Sequence, residues 1–503
     1  MEPGERAVSP ARQRGRRGLE KSLAEPRRAE LCWRSPPGAG LRLQWPGRLF
    51  RHEGEASLLP PTASPRVQEL HGDAALRLLH GDALTLASSL HDEGLCGKVD
   101  LVYLDPPFFS EADYLVETRL DGPADGRVVR SAAYHDRWAK KQGGLGAYLD
   151  MLAPRLEALA SLLAETGTFW VHLDWRAAYL VRVLLDEIMG KDAFLNEIVW
   201  RRAPNLGRQA QSGQFGRTLD TLVVYGGPSA RLRPPTRLEQ VPRSAVRIDE
   251  QGRPFTSAPR GDYTDASIAK LDAEGRVLRT ASGRVYIKYF LVKDEDGSLC
   301  RERRVDTLWT DVPPLRHASP AERTGYPTQK PRALLERILR AGSPEGGLVV
   351  DAFAGSGTTG EAAHATGRRA ILGDTGASAI ATARARLLRS GAGVALETLE
   401  GARELPRLPV VGHAARAGEG AVKITLLEPS EPLAWAIDAS PLVRPPFTTT
   451  WHAERTLGTK PLPVPREVVV PYAGSGDGSG GVRVRVYGDD GRVGETEIPV
   501  EIR

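Results

Sequence analysis

Apolar positions along the chain fall into short, nearly unbroken runs that alternate with stretches of helical spacing. The first run, Leu76-Arg-Leu-Leu-His80, is closed by Gly81-Asp82 and followed by a short helix over Ala83–Leu90. Val99-Asp-Leu-Val-Tyr-Leu104 comes next, and so continuous an apolar run predicts a strand buried in a mostly parallel sheet. It stops at Asp105-Pro106-Pro107-Phe108. Neither proline can donate to a ladder and each fixes φ. The carboxylate and the ring are therefore expected at the carboxyl end of a strand, where open α/β sheets place their ligands. After a polar loop, Leu145–Leu163 carries Leu149, Leu152, Leu156 and Leu159 at helical spacing, with Pro154 as a kink or restart. Strands are predicted over Gly167–Asp174, Glu197–Trp200 and Thr221–Tyr225, with an amphipathic helix over Ala177–Ile188. Strands and helices alternating at crossover spacing give a doubly wound α/β sheet.

The rhythm breaks over residues 226–312, a polar, turn-rich stretch whose one strand-like run is Arg284–Val292. It returns with a helix at Arg332–Ala341 and a strand at Leu348–Asp351, so the middle stretch reads as an insertion into an α/β core spanning 66–405. Beyond residue 406, β-like runs (Val422–Leu427, Arg466–Val470, Val482–Tyr487, Glu495–Val500) separated by Pro/Gly/Ser loops predict a β-rich accessory domain over 406–503. Residues 1–65 are rich in Arg, Pro, Gly and Ser without sustained periodicity and read as a disordered basic tail.

Charge sharpens this division. The formal net charge of +5 over 503 residues conceals 11 Lys/Arg against 5 Asp/Glu in residues 1–50, and 16 against 11 in residues 226–304. Two basic segments on an otherwise acidic chain suit a polyanionic partner. Cys32, Cys96 and Cys300 lie far apart with no Cys-x-x-Cys pair. That argues against a disulfide framework and structural zinc, and a reducing cytoplasm fits best. No apolar run approaches the ~20 residues of a membrane span, so no membrane partner is expected.

A second constellation follows the strand ending at Asp351: Asp351-Ala-Phe353-Ala-Gly355-Ser356-Gly357-Thr358-Thr359. Its glycines allow a tight turn and close approach to a ligand, and Thr358 and Thr359 are candidates to cap the following helix. Arg369–Gly373 is the next strand, ended by Asp374. A carboxylate about 20 residues beyond a Gly-rich βα turn is where a ribose diol is held in dinucleotide folds. No Gly-Lys-Ser/Thr follows and the full Gly-x-Gly-x-x-Gly is absent, which favours a nucleoside ligand over a phosphate-bearing one. Between the insertion and this turn lies Gly325-Tyr-Pro-Thr328-Gln329-Lys330-Pro331.

Taken together, these pieces resemble the S-adenosyl-L-methionine-dependent DNA amino-methyltransferases. They match the permuted class, similar to type III modification subunits, in which the catalytic motif precedes the cofactor motif. Asp105–Phe108 matches the family's Asp/Asn/Ser-Pro-Pro-aromatic motif, Thr328–Pro331 its Thr-Gln-Lys-Pro, and Asp351–Thr359 its Asp-Pro-Phe-x-Gly-Ser-Gly-Thr-Thr. The likeness covers roughly residues 75–390, with two departures: Ala352 replaces the usual proline, and Phe108 stands where tyrosine is commoner.

The resemblance implies a Rossmann-like methyltransferase sheet with an inserted target-recognition segment at 226–312. It implies a catalytic role for Asp105, Pro106, Pro107 and Phe108, in which Asp105 and the Pro106 carbonyl accept the hydrogens of an exocyclic amine. It counts Asp105 among the cofactor-binding residues as well. Phe108 would stack on a base flipped out of the duplex. It gives Asp351, Phe353, Gly355, Ser356, Gly357, Thr358 and Thr359 to the cofactor loop and Asp374 to the ribose. Asp82 goes to the adenine edge, although His71-Gly-Asp73 repeats the tripeptide of His80-Gly-Asp82. Thr328, Gln329, Lys330 and Pro331 would complete the pocket. Double-stranded DNA is the implied substrate, with a cytoplasmic, nucleoid-associated location. A restriction endonuclease subunit and a second copy of the chain are the protein partners to consider.

C5-cytosine methylation needs a thiolate nucleophile, typically after proline, and all three cysteines here follow leucine. Aspartate at the first motif position leans to N6 of adenine over N4 of cytosine. Methylation of RNA or a protein amide, and a catalytically silent DNA-binding scaffold, remain as alternatives.

Overall fold

The computed structural model describes residues 30–32, 42–44, 64–119, 128–138, 144–203, 215–403, 407–418, 420–429, 432, 434–439, 447–454, 464–472, 481–488 and 492–501. Most of the expected tail over 1–65 lies outside these residues; a short antiparallel pair, Glu30–Cys32 with Arg42–Gln44, lies within it.

The larger of two compact units comprises residues 1–232 and 310–503. Its elements in chain order are β1 (Arg66–His71), β2 (Leu76–His80), α1 (Ala83–Asp92), β3 (Val99–Leu104), β4 (Ala112–Arg119), β5 (Val128–Asp136), α2 (Gly144–Ala160), β6 (Leu163–Leu173), α3 (Ala178–Met189), β7 (Phe194–Arg201), β8 (Leu219–Gly226), α4 (Arg332–Gly342), β9 (Leu348–Asp351), α5 (Thr358–Ala365), β10 (Arg369–Asp374), α6 (Ala377–Arg389) and β11 (Val394–Thr398). Neighbouring strands of its main sheet run β7-β8-β6-β3-β9-β10-β2-β11-β1, ending on Phe447–Thr448. From β6 to β11 every pairing is parallel. β8 and β7 continue one side antiparallel, and β1 the other.

Period-2 alternation explains how helices cover both faces. Val102, Leu104, Val350 and Ile371 pack with Leu86, Leu152, Leu156 and Leu184 from α1, α2 and α3 in one core. On the other face, α4 comes so close that a Cβ on Gly342 would meet Leu101 Cδ1 at 2.7 Å, and a Cβ on Gly360 of α5 would meet Leu372 at 2.5 Å. The helix expected to end at Leu163 stops at Ala160, because Leu163 already opens β6. Pro154 sits inside α2.

Three elements depart from the expectations. The stretch read as a polar loop contains the β4–β5 hairpin, paired from Ala112↔Asp136 to Arg119↔Val128. β1 lies inside the expected core over 66–405 but ahead of Leu76, where the first strand is expected. The β-rich C-terminal region is tied to the main sheet. Its seven-stranded sheet runs Trp451–Glu454, Ala434–Asp438, Gly481–Tyr487, Val493–Glu501, Val411–Gly418, Ala421–Glu428, Glu467–Pro471. Phe447–Thr448 joins β1, Phe447 opposite Glu69. Glu69, buried, takes Arg384 of α6 at 2.6 Å, Thr449 Oγ1 at 2.5 Å and the Tyr487 hydroxyl. Burial alone would raise this carboxyl, but Arg384 and Arg485 hold it at about 2.

The second unit is Arg233–Trp309, slightly shorter than the expected insertion. Its antiparallel sheet runs Thr236–Gln240, Leu299–Arg304, Val285–Lys293, Pro254–Pro259, Arg247–Ile248, and Val277–Arg279 also pairs with Val285–Lys293. Helix Asp265–Ala273 is capped by Thr264, whose Oγ1 accepts from Ser267 N. Phe255, Ile268, Ile287, Leu291 and Cys300 are buried, and guanidiniums lie over rings, Arg301 on Tyr289 at 3.5 Å and Arg253 on Phe290 at 4.0 Å.

Candidate active site

β3 and β9 lie side by side, Val102 opposite Val350, so the two motifs leave the same edge of the sheet although far apart in sequence. Between them opens a cavity of about 610 Å³, bordered by Asp82, Asp105, Asp351 and Asp374 with Gly355 and Tyr326.

Asp105 is the centre of this edge. Its Oδ2 accepts from Lys330 Nζ at 2.5 Å, and Lys330 also donates to the Thr328 carbonyl at 3.2 Å. Asp105 Oδ1 is buried without a hydrogen-bond partner among the described residues. A buried acceptor left unmet costs about 1–3 kcal/mol, which a donor brought by a ligand would recover.

The loop that carries Asp105 is fixed by a residue that motif reading missed. Asp136, at the end of β5 and buried, accepts from the backbone amides of Phe108 (3.1 Å), Phe109 (3.1 Å) and Ser110 (2.7 Å). It also accepts from Trp138 Nε1 at 2.9 Å. Phe109 and Glu111 have φ of 59° and 58°, a region that costs a non-glycine residue about 1–2 kcal/mol. Anchoring three consecutive amides on one carboxylate holds that conformation. Tyr148 adds a bond to the Pro107 carbonyl at 2.9 Å. The hairpin signal was Leu115-Val116 and Val128-Val129 flanking Asp121-Gly-Pro-Ala-Asp-Gly126; no local signal marks Asp136 as an anchor.

Pro107 borders the cavity; Pro106 and Phe108 are not among its lining residues. Phe108 is half-buried beside His172, ring centroids 5.9 Å apart, with Lys330 Nζ 5.0 Å from its ring. Behind it Tyr103 pairs with His172 Nδ1 at 3.0 Å, and His172 with Asp220 at 3.3 Å.

On the β9 side, Asp351 is spent on its own loop: Oδ1 accepts from Phe353 N and Oδ2 from Thr359 Oγ1 at 2.5 Å. Burial lifts its carboxyl to about 7, with Asp105 and Asp374 adding to the rise. The expectation that Thr358 and Thr359 cap α5 is corrected: Gly357 occupies the cap position with φ 75°, and both threonines are inside the helix. Gly357 serves packing, since a Cβ there would lie 2.8 Å from Ala383, and it does not line the cavity. Phe353, Gly355, Ser356, Thr358 and Thr359 do. Asp374 accepts from Gly355 N at 2.9 Å and Gly376 N at 2.8 Å, and burial raises its carboxyl.

Asp82 caps α1 through Leu84 N at 2.8 Å and pairs with Arg155 at 2.6 Å. Thr328, at φ 60°, reaches the Tyr134 hydroxyl at 3.2 Å. Gln329 is committed internally, accepting from Thr324 and donating to the Glu322 carbonyl, and Pro331 is outside the lining. Arg386, which the sequence did not single out, lies beneath both halves: it donates to Thr358 Oγ1 at 2.5 Å, Ser356 Oγ at 3.1 Å and the Glu322 carbonyl at 2.9 Å. Among the described residues no metal-holding cluster occurs and no helix is long and apolar enough to cross a membrane.

A DNA methylase family model, of the N6/N4 methyltransferase type, matches residues 99–385. The type II methyltransferase M.EcaI of Enterobacter cloacae is 25% identical over 301 residues, covering 54% of this chain and 61% of that protein. The Mod subunit of the type III restriction-modification enzyme StyLTI of Salmonella typhimurium is 24% identical over 325 residues, covering 56% of this chain and 49% of that subunit. The chain thus spans about half to three-fifths of the length of these curated relatives. Among solved structures, an M1.HpyAVI–SAM complex aligns over 62% of this chain and 100% of its own at 15% identity, TM-score 0.35. TTHA0409, a putative DNA modification methylase of Thermus thermophilus, aligns over 64% and 98% at 20% identity, TM-score 0.34.

Proposed function

Because it matches the DNA methylase model over more than half its length, the chain belongs to the N6/N4 DNA methylase family, and we propose that it methylates N6 of adenine in double-stranded DNA. The observation that carries this reading is Asp105: a half-buried carboxylate held by Lys330 on one oxygen, with the other, itself buried, unmet at the cavity lining.

The cavity suits S-adenosyl-L-methionine, which is a cation. About 610 Å³ is in the range of sites for ligands of that size. Asp82 and Asp105 have Arg155 and Lys330 as counter-ions, whereas Asp351 and Asp374 are satisfied by neutral donors only among their described hydrogen bonds. A positive ligand would relieve that excess of carboxylate. Gly355 and Ser356 would face the methionine portion and Asp374 the ribose. The cofactor supplies an already activated methyl group.

What the chain adds is position and polarity. The exocyclic amine of a nucleobase is a poor nucleophile because its lone pair is delocalised into the ring. Asp105 Oδ1 accepting one amine hydrogen, and the Pro106 carbonyl another, draws the nitrogen toward tetrahedral geometry and localises that pair. The amine then gives up one proton as the N–C bond forms, and Asp105 is the acceptor at hand. The target must leave the duplex to reach this depth, at roughly a few kcal/mol.

Adenine is preferred to cytosine on the aspartate that begins the motif; an N4-cytosine product is the second reading. The inserted unit, Arg233–Trp309, is the proposed target-recognition region, with its arginines on phosphates and base edges. The Mod-subunit relative makes a restriction endonuclease subunit the first protein partner to test by co-purification, and a second copy the next. Mass spectrometry of nucleosides from DNA treated with the protein and S-adenosyl-L-methionine decides the product: N6-methyladenine is expected. N4-methylcytosine alone would replace the adenine assignment, and methylated RNA or protein with unmodified DNA would overturn the substrate.

A further inference from the structure

A rim of exposed aromatic rings stands one strand away from the catalytic loop and has no part in the chemistry above. β6 runs parallel to β3 with Leu104 level with Val171, so Asp174 and Trp175 leave the sheet at the level of Pro107 and Phe108. Adjacent strands are about 4.8 Å apart. Trp175 is 45% exposed, and Tyr179, one turn further on, is 71% exposed. The antiparallel register of β8 on β6, Thr221 against Leu173, continues to place Leu219, 44% exposed, across from Trp175. Arg217 lies over the Trp175 ring at 4.0 Å, and Arg176 is 5.0 Å from its centroid. Phe215, two residues before Arg217, is fully exposed.

Large rings left in water beside guanidiniums are costly unless a partner covers them. Rings supply sequence-tolerant stacking for bases, and guanidinium planes can stack as well as meet phosphates. The position decides which nucleic-acid surface they meet. When a base leaves the duplex to reach Asp105, its partner and its neighbours lose their stacking, and these lie just outside the cavity mouth. On the strength of the DNA reading above, we propose that Trp175 and Tyr179 form a stacking platform for the bases unstacked around the target, with Arg176 and Arg217 supporting the adjacent backbone.

The test compares the full-length protein with a Trp175→Ala/Tyr179→Ala double variant and with Trp175→Phe. Duplexes that contain or lack the methylated site are used, with S-adenosyl-L-methionine affinity and melting temperature as controls. Loss of base–aromatic stacking should weaken binding to the site-containing duplex about fivefold to hundredfold per stacked base and raise KM for DNA in step. Cofactor affinity, melting temperature and binding to site-free duplex should stay within about twofold, and Trp175→Phe should retain most of the affinity. Equal losses on both duplexes would make the rim a plain backbone contact and overturn the proposal. So would unchanged KM in an active double variant, whose rim would then serve some other partner. Wild-type protein that transfers no methyl group to DNA would overturn the functional reading and the platform with it.

Discussion

Replacing Asp136 by alanine isolates the part of the proposed catalytic apparatus that the motifs do not contain. The substitution removes the acceptor for three backbone amides, of Phe108, Phe109 and Ser110, and for Trp138 Nε1. Hydrogen bonds to a charged group contribute about 1.5–3 kcal/mol each, and they are not additive, so a net loss of about 3–5 kcal/mol in loop order is reasonable. Phe109 sits at φ 59°, and the released loop should relax toward ordinary backbone angles. Asp105 would move with it, and a displacement of ~1 Å at a reacting group costs about a hundredfold in rate. Single-turnover methyl transfer with saturating cofactor and DNA should therefore fall about a hundredfold, while Asp136→Asn, which keeps one oxygen acceptor, should lose no more than about tenfold. Far-ultraviolet circular dichroism and cofactor affinity serve as checks that the sheet is intact. A near-wild-type rate in the alanine variant would refute the claim that this carboxylate sets the loop that carries Asp105.

Buried charge governs three more outcomes. Arg386→Met removes the donor shared by Thr358, Ser356 and the Glu322 carbonyl; S-adenosyl-L-methionine should bind about tenfold more weakly by calorimetry. Asp351 has its carboxyl raised by burial from 3.8 to about 7, so between those values the unfolded chain ionises while the folded one stays protonated. Stability then falls as pH rises through that window, by something of the order of 4 kcal/mol; denaturant titrations of Asp351→Asn should show a flatter profile. Glu69 behaves oppositely. Held at about 2 against an ordinary 4.5, it contributes stability above about pH 4.5 that is lost as the pH falls toward 2. Glu69→Gln, which leaves Arg384 without its counter-charge, should cost about 3–5 kcal/mol at neutral pH, read from the denaturant midpoint.

The sheet was readable wherever a strand is buried on both faces. Val99–Leu104 and Leu348–Asp351 are apolar almost throughout because helices cover each side, and both appear at the expected residues. β1 escaped notice for the converse reason: its central Glu69 looks like a surface residue, and Arg384, Thr449 and Tyr487, hundreds of positions away, make it a core residue. The β4–β5 hairpin buries only a small cluster, Ala133 with Tyr326 and Ala379, beside Tyr114 and Tyr134, so its mixed polarity read as loop. At the site, motif spacing located Asp105 and the Gly-rich turn, but not what each side chain does. Gln329, Asp351 and Gly357 fall within motifs yet build the loops, while Asp136 and Arg386 lie outside every motif and hold the site together. Those roles depend on contacts between residues distant in sequence, and such contacts leave no local pattern.

If the unmet oxygen of Asp105 meets the target amine, methyl transfer by Asp105→Ala is the most direct place to see it. Measured in a single turnover on site-containing duplex, with S-adenosyl-L-methionine and DNA affinities determined on the same preparation, the variant should bind both ligands and yield no detectable N6-methyladenine. Methyl transfer by that variant at a rate near wild type would contradict this role for Asp105.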